Sequence, residues 1–280
     1  MKKVRIKLGI IGYLPFEFNR KLVKNWKSDV FEIVDEIDDF YFTKDSDTSN
    51  WAFSDKLLSK ELPIKYDGDF FMGITYVPIE ANFYCRRLDQ NRVVISFSEI
   101  YNILKKENIP VENFILRSLY ASCLVYLRNE HTIPKSTEWL GYTHDDTRGC
   151  LFDMNGSNKT DVIFSLNPPI ICDDCTNRIR QEKVPDSTTN QIKKEINRIR
   201  KAKYYKIIQF VKRRPLISIL LSGIFGILMS LTASIIYGAL FNKNKNGHHA
   251  KEYFQCCNDS LKVQKSTKIL DSSNQDSITK

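Results

Sequence analysis

Apolar positions change rhythm along the chain, and each rhythm predicts a different element. Val4 to Gly12 (VRIKLGIIG) is a nearly continuous apolar run of the kind that makes a buried first strand. Leu14 to Trp26 carries spaced apolar residues suited to a helix, and Val30 to Val34 reads as a short second strand. Asp35 to Lys60 is polar with scattered aromatics and is expected to be a long loop. Phe70 to Pro78 (FFMGITYVP) and Arg92 to Ser98 (RVVISFS) supply a third and a fourth strand, followed by a short helix over Ser98 to Lys106. Val111 to Arg128 is apolar almost all round, which predicts a central, buried helix. Strands interleaved with helices point to an α/β or α+β globular domain.

A different regime begins at Leu216. From there to Phe241 the chain reads LISILLSGIFGILMSLTASIIYGALF, 26 positions without a charge. As a helix this is about 39 Å long, enough to cross a hydrocarbon core of about 30 Å with some tilt. A buried helix of a soluble domain seldom runs so far without a charge, so a single transmembrane helix over 216–241 is expected. Too few apolar residues remain elsewhere for a second crossing, and the N-terminal stretch has no signal-peptide h-region.

Charge sharpens this picture. The formal net charge of +9 is unevenly spread: Arg178 to Arg214 holds thirteen Lys and Arg against Glu182, Asp186 and Glu195. A nucleic-acid protein would carry its basic face, with aromatic platforms, on the folded domain. Here the basic block abuts the apolar run, where it orients a membrane span instead. Arg198, Arg200, Lys201, Lys203, Lys206, Lys212, Arg213 and Arg214 precede the span, against Lys243, Lys245 and Lys251 after it. The positive-inside rule then places residues 1–215 in the cytoplasm, at the face of a cell-membrane bilayer, and the tail outside. That tail, 242–280, is rich in Ser, Asn, Gln, Asp and Lys and is expected to be mostly disordered. Its Cys256 and Cys257 are candidates for intermolecular disulfides outside the cell, and His248-His249 reads as a solvated pair.

Two finer patterns flank the membrane boundary. Thr188-Thr189-Asn190-Gln191 matches a capping box, and Ile192, Ile196 and Ile199 follow at helical spacing, which predicts a basic helical stalk over 181–215 hinged at Pro185. Within the span, Ser218, Ser222, Gly226, Ser230, Ser234 and Gly238 recur every four residues and line one ridge. Small residues so spaced let helices approach closely, so this ridge is a candidate homodimer seam.

The densest chemistry lies between the buried helix and the basic block. Cys172 and Cys175 form a C-x-x-C, a spacing that favours metal or redox chemistry in a reducing compartment. Cys150 lies 22 positions earlier and His144 can add a neutral imidazole, giving the Cys₃His set of a structural zinc site. Redox use and unligated cysteines are the competing readings; a redox pair should open a helix after a strand, whereas this one follows Asn167-Pro168-Pro169. The Asp145, Asp146 and Asp153 cluster has two readings, a cation site and, more commonly for such acidic loops, solvated acids; a satisfied surface histidine beside Asp145 and Asp146 is the alternative to His144 as a ligand. Cys123 falls in the buried helix as a small core residue, and Cys85 in a turn region, Tyr84 to Arg87. No phosphate-loop, nucleophile-elbow or dinucleotide fingerprint occurs.

Taken in order, the first strand and helix, Met72-Gly73-Ile74-Thr75, Val94-Ile95-Ser96 and the long helix, then Cys150-Leu151-Phe152-Asp153-Met154 and Cys172-Asp173-Asp174-Cys175, resemble archaemetzincin-type zinc metallopeptidases over roughly residues 4–178. The resemblance implies a metzincin-like domain over 1–180, closed by a zinc-knuckle-like C-terminal segment. It also implies a catalytic H-E-x-x-H on the central helix. That helix instead reads Phe114-Ile115-Leu116-Arg117-Ser118-Leu119-Tyr120-Ala121-Ser122-Cys123, with neither His nor Glu. The expected function is therefore that of a membrane-anchored, zinc-stabilised pseudoenzyme serving as an interaction or sensor module with an unspecified protein partner. The alternative is a tethered divergent hydrolase drawing on Glu112, His131, His144 and nearby Asp residues.

Overall fold

A computed structural model describes residues 2–138, 141–155, 158–200, 207, 210–211 and 214–241. The tail with Cys256, Cys257, His248 and His249 lies outside the described residues. Two compact units divide at Ile207.

The first unit is a mixed α/β domain built on a five-stranded sheet of order β2-β1-β3-β5-β4. β1 (Val4–Ile11), β2 (Phe31–Phe40), β3 (Phe70–Thr75) and β5 (Arg92–Ser96) are parallel. The short β4 (Cys85–Arg87) pairs antiparallel with β5 at one edge. Central parallel strands are covered on both faces, which is why FFMGIT and RVVIS are buried at every position. Alternation still sorts their side chains. Ile6, Leu8, Phe70, Met72, Ile74, Val93 and Ile95 face the larger core layer, and Ile11, Phe71 and Val94 face the smaller one.

The large layer is filled by α4 (Val111–Arg128), whose bounds coincide with the apolar run in the sequence. Phe114, Ile115, Leu119, Tyr120 and Cys123 are fully buried in it. Cys123 is a core thiol whose burial pushes its pKa well up, as expected of a packing residue. The other face of the sheet is covered by α2 (Asp55–Glu61), where the Ser54 side chain accepts from the Leu57 N–H as an N-cap, and by Phe53, Leu62 and Ile79.

Several local expectations change. Leu14–Trp26 is helical only over α1 (Arg20–Lys24). Leu14, Phe16 and Phe18 are spaced by two, not by helical turns, and pack against the core ahead of the helix, Phe16 stacking on Tyr101 at 4.5 Å. The polar run after Val34 is not a loop throughout. β2 continues to Phe40, burying Ile33 and Ile37 while Asp38 and Asp39 pair with Lys7 and Arg20. Asp35, at φ 52°, marks the place where the ladder with β1 slips register. Cys85 sits in the edge strand β4 rather than in a turn.

The expected stalk divides. α6 (Asp186–Ile196) is a helix, but it begins at Asp186 after Pro185, so Thr188 lies inside its first turn rather than capping it. Ile192, Ile196 and Ile199 are buried in the same core as α4. The domain thus runs past residue 180, because the apolar stripe of α6 finds partners on it. α3 (Ile100–Glu107) and α5 (Asp173–Gln181) complete this unit.

In the second unit, α7 (Pro215–Phe241) is one unbroken helix of 27 residues. Its segment Pro215–Gly238 is long and apolar enough to cross a membrane, with mean hydropathy 2.2 and none of it buried. The Ser218 and Ser234 hydroxyls donate to the carbonyls of Arg214 and Ser230, four residues back, satisfying these groups within the helix itself.

Candidate metal centre

Three chain segments meet and bring His144, Cys150, Cys172 and Cys175 together. One ligand atom from each lies within 4.8 Å of all the others. The loop from His144 to Met154 folds back on itself: the His144 N–H donates to the Phe152 carbonyl, and the Met154 N–H to that of His144. Its tip is a tight turn at Gly149, φ +76°, where a Cβ would lie 2.8 Å from the Phe164 carbonyl oxygen. Asp153 closes this turn. Its Oδ2 accepts from the backbone N–H groups of Arg148, Gly149 and Cys150 at 3.1, 2.7 and 3.0 Å. The tip is tied to the second segment by the Leu151 N–H to the Ile170 carbonyl and the Ile170 N–H to the Gly149 carbonyl, both 2.9 Å.

Cys172 is the N-cap residue of α5, and Cys175 lies in that helix's first turn. The C-x-x-C does open a helix, contrary to the expectation set by the prolines before it. The positive end of a helix favours thiolates there. What marks this pair off from an ordinary redox motif is its company: both sulfurs share one locality with Cys150 and His144, and all three cysteines are buried. The five described cysteines are unpaired.

The electrostatics suit a cation held by thiolates. Hydrogen bonding from the Cys175 thiol outweighs burial and lowers the Cys150 pKa well below a thiol's usual range, while Cys175, beside that thiolate, is pushed up. The sulfur atoms also receive the Cys172 N–H on Cys150 Sγ (3.4 Å), Arg178 on Cys175 Sγ (3.4 Å) and Arg148 on Cys172 Sγ (3.8 Å). His144 Nδ1 is 2.9 Å from the Asp146 carbonyl oxygen, so Nδ1 carries the proton and Nε2 presents its lone pair to the sulfurs, 3.5 Å from Cys172 Sγ. Asp153 Oδ1 is buried without a hydrogen-bond partner, 3.6 Å from the same Nε2. Burial and then the Cys150 thiolate charge raise the Asp153 pKa. An orphaned carboxylate oxygen beside three sulfurs and an imidazole lone pair is a donor set that a divalent cation would satisfy.

All four sequence candidates therefore converge. Asp153 is a structural acid of this turn, not a solvated one, and Arg148 and Arg178 are sulfur neighbours that the sequence reading missed. The available signal was Gly149-Cys150 followed three residues later by Asp153, an acid placed to cap the turn. Of the residues named for a hydrolase, His144 and Asp153 meet, Nε2 to Oδ1 at 3.6 Å, but Glu112 and His131 lie at opposite ends of α4. Glu112, in the first turn of α4, accepts from the Asn19 N–H, and His131 lies beyond the last turn, with about 24 Å of helix between them. Among the described residues no second group of His, Cys, Asp and Glu could hold a metal. No protein-family model, curated protein or solved structure matches this chain, so its own side chains carry the functional reading.

Proposed function

We propose that this chain is a single-pass membrane protein whose cytoplasmic domain, pinned by one structural zinc ion, is an interaction or sensor module without peptidase chemistry. The convergence of His144, Cys150, Cys172 and Cys175 within 4.8 Å carries this reading. In a tetrahedral zinc site with Zn–S of about 2.3 Å and Zn–N of about 2.0 Å, sulfur and nitrogen ligands sit about 3.5 Å apart. Cys172 Sγ and His144 Nε2 have that separation, 3.5 Å. Three thiolates and Zn²⁺ leave a net negative charge, which the guanidiniums of Arg148 and Arg178 offset. Zinc is favoured over harder cations because thiolate is a soft ligand, and over catalytic use because four protein ligands leave no open position.

The same reading makes the domain a degenerate relative of archaemetzincin-type metallopeptidases. Its central helix carries neither His nor Glu from Phe114 to Cys123, so the H-E-x-x-H of that family is missing, while the late C-x-x-C set is present. α7 anchors the chain in the bilayer, with the basic block before it at the cytoplasmic surface. The small-residue ridge of α7 is its homodimer seam, which would couple two domains across one membrane face.

The test is the metal content of the full chain purified in detergent without added metal. One zinc per chain, retained through dialysis and lost only with a strong chelator together with protease resistance, is the expected result. A metal-free chain that resists protease equally well in chelator would refute the proposal.

A further inference from the structure

A cavity of about 520 Å³ is lined by edge strand β4, by α4 and by the segment from Gly141 to Asn155, within the size range of small-ligand sites. Tyr84, Cys85 and Arg87 line it from the strand side, and Arg117, Ser118 and Val125 from the helix. Arg117 is only 4% exposed, yet its Nε and Nη2 are buried without a hydrogen-bond partner. Among the described residues its guanidinium forms no ion pair; its neighbours are the Tyr84 ring, 5.5 Å from Cζ, and the Cys85 thiol.

The surrounding donors are in the same condition. Arg87 Nη1 and Ser118 Oγ are buried and unpartnered. Arg87 Nη2 reaches only the Glu138 backbone carbonyl, at 3.4 Å, and burial lowers the Arg87 pKa. Arg86, Arg87 and Arg117 all act on Cys85, so the three cations share one locality. Arg86 is neutralised by Asp55, with Nε and Nη2 contacts of 2.8 and 2.5 Å, which leaves two guanidiniums. Three acids also line the wall: Glu138, whose Oε1 accepts from the Lys135 N–H, Asp145, and Asp153, whose Oδ2 caps the Gly149 turn while its Oδ1 has no hydrogen-bond partner; none of them forms an ion pair with Arg117 or Arg87 among the described residues.

A buried guanidinium without a counter-ion is costly, because it loses its water and gains no partner. Two such groups and a hydroxyl, all lining one cavity, have the donor types that bind an anion. We infer that this cavity binds a small phosphate-bearing ligand, its phosphoryl oxygens held by Arg117, Arg87 and Ser118. The Nε and Nη2 edge of Arg117 is a fork for two oxygens, and Arg87 Nη1 and Ser118 Oγ serve the third. A phosphomonoester carries nearly two negative charges near neutral pH, matching two unpaired cations; a carboxylate would leave one unanswered. Phe83, Val125, Ile133 and Tyr142 complete a largely apolar wall for the body of the ligand. The cavity borders the metal centre, since His144 and Asp153 form part of its wall, but none of the three anion donors is a metal-ligand candidate.

Inorganic phosphate is the probe, titrated calorimetrically into the full chain in detergent at constant ionic strength, with acetate and chloride as parallel titrants. Saturable phosphate binding at least about tenfold tighter than acetate binding is expected, since it engages both guanidiniums. Arg117→Met should weaken phosphate binding by at least about tenfold while leaving metal content and helical signal unchanged. Arg87→Met and Ser118→Ala should weaken it too, and they decide the matter should Arg117→Met not fold. Arg20→Met, which removes a surface partner of Asp39, should bind as wild type does. No saturable phosphate binding, equal binding of acetate, or wild-type affinity in the Arg87 and Ser118 variants would overturn the inference.

Discussion

The Tyr120 hydroxyl, in the middle of α4, donates to Glu195 Oε2 at 2.7 Å and so fastens the last helix of the domain to its core across 75 residues of chain. Glu195 is 4% exposed and fully engaged. Ser28 Oγ donates to Oε2 at 2.6 Å, and the Asp29 N–H and Gln191 Nε2 donate to Oε1, both at 2.8 Å. Trp26 Nε1 donates in turn to the Tyr120 oxygen at 2.8 Å. A carboxylate held by four donors keeps its charge inside a protein because it exchanges water for hydrogen bonds of equal number.

Burial pushes the Glu195 pKa up, but the bonds from Ser28, Tyr120, Asp29 and Gln191 prevail and hold it below its ordinary 4.5. Its contribution to stability is therefore complete above that ordinary value and lost as pH falls through the lower, folded-state value. Glu195→Ala should cost about 3 kcal/mol at neutral pH, because it strands several buried donors. Glu195→Gln should cost less, and its deficit against wild type should shrink on acidification below pH 4.5. Thermal unfolding followed by Trp26 fluorescence measures both; a deficit that is constant with pH would contradict the assignment.

The four ligands are predicted to be unequal. Cys172→Ser should release the metal and open the 144–175 segment to protease, since a structural zinc contributes on the order of 10 kcal/mol to small metal-dependent folds. His144→Ala should weaken binding less, because water can take the fourth position. Cys123→Ser, in the apolar core, should leave metal content unchanged. Metal analysis with limited proteolysis of the three variants checks the order.

Gly149→Ala should behave as a ligand variant although it removes no ligand. An alanine at φ +76° is strained, and its Cβ would stand 2.8 Å from the Phe164 carbonyl oxygen, so about 2 kcal/mol is lost and the tip bearing Cys150 shifts. Reduced zinc retention in chelator competition is the expected readout; unchanged retention would mean that the turn does not set the geometry of Cys150.

For the proposed membrane anchor, reporter fusions at the two ends should place the N-terminus in the cytoplasm, as the eight-to-three bias of Lys and Arg around 216–241 predicts. An active external reporter at the N-terminus would reverse the orientation.

Pairing through the span is tested separately. Gly226 has no neighbour within 4 Å of an added Cβ in the single chain, so Gly226→Leu should leave α7 intact and act only on a partner helix. Loss of dimer signal in Gly226→Leu and Ser230→Leu, by crosslinking in membranes, is the expected outcome. Equal signal in wild type and both variants would rule out the ridge.

The sequence by itself determined whatever a single periodicity or run could encode. The apolar run at 216–241 is a helix for its whole length, α4 occupies Val111–Arg128 as its all-round apolar character requires, and the central strands appear as continuous apolar runs. It also singled out His144, Cys150, Cys172 and Cys175, because thiol spacing is a local property. The tertiary structure decided everything that depends on a partner distant in sequence. The acidic second half of β2 pairs only because β1 supplies its ladder and Lys7 a counter-charge, so its composition reads as loop. The isoleucine stripe of α6 looked like a free stalk until Tyr120 and Ser28 met Glu195, since an amphipathic helix does not say which surface it will cover. The meeting of four ligand atoms in one place required the Gly149 turn, the Asp153 cap and the start of α5 together, a relation among segments that no local pattern contains.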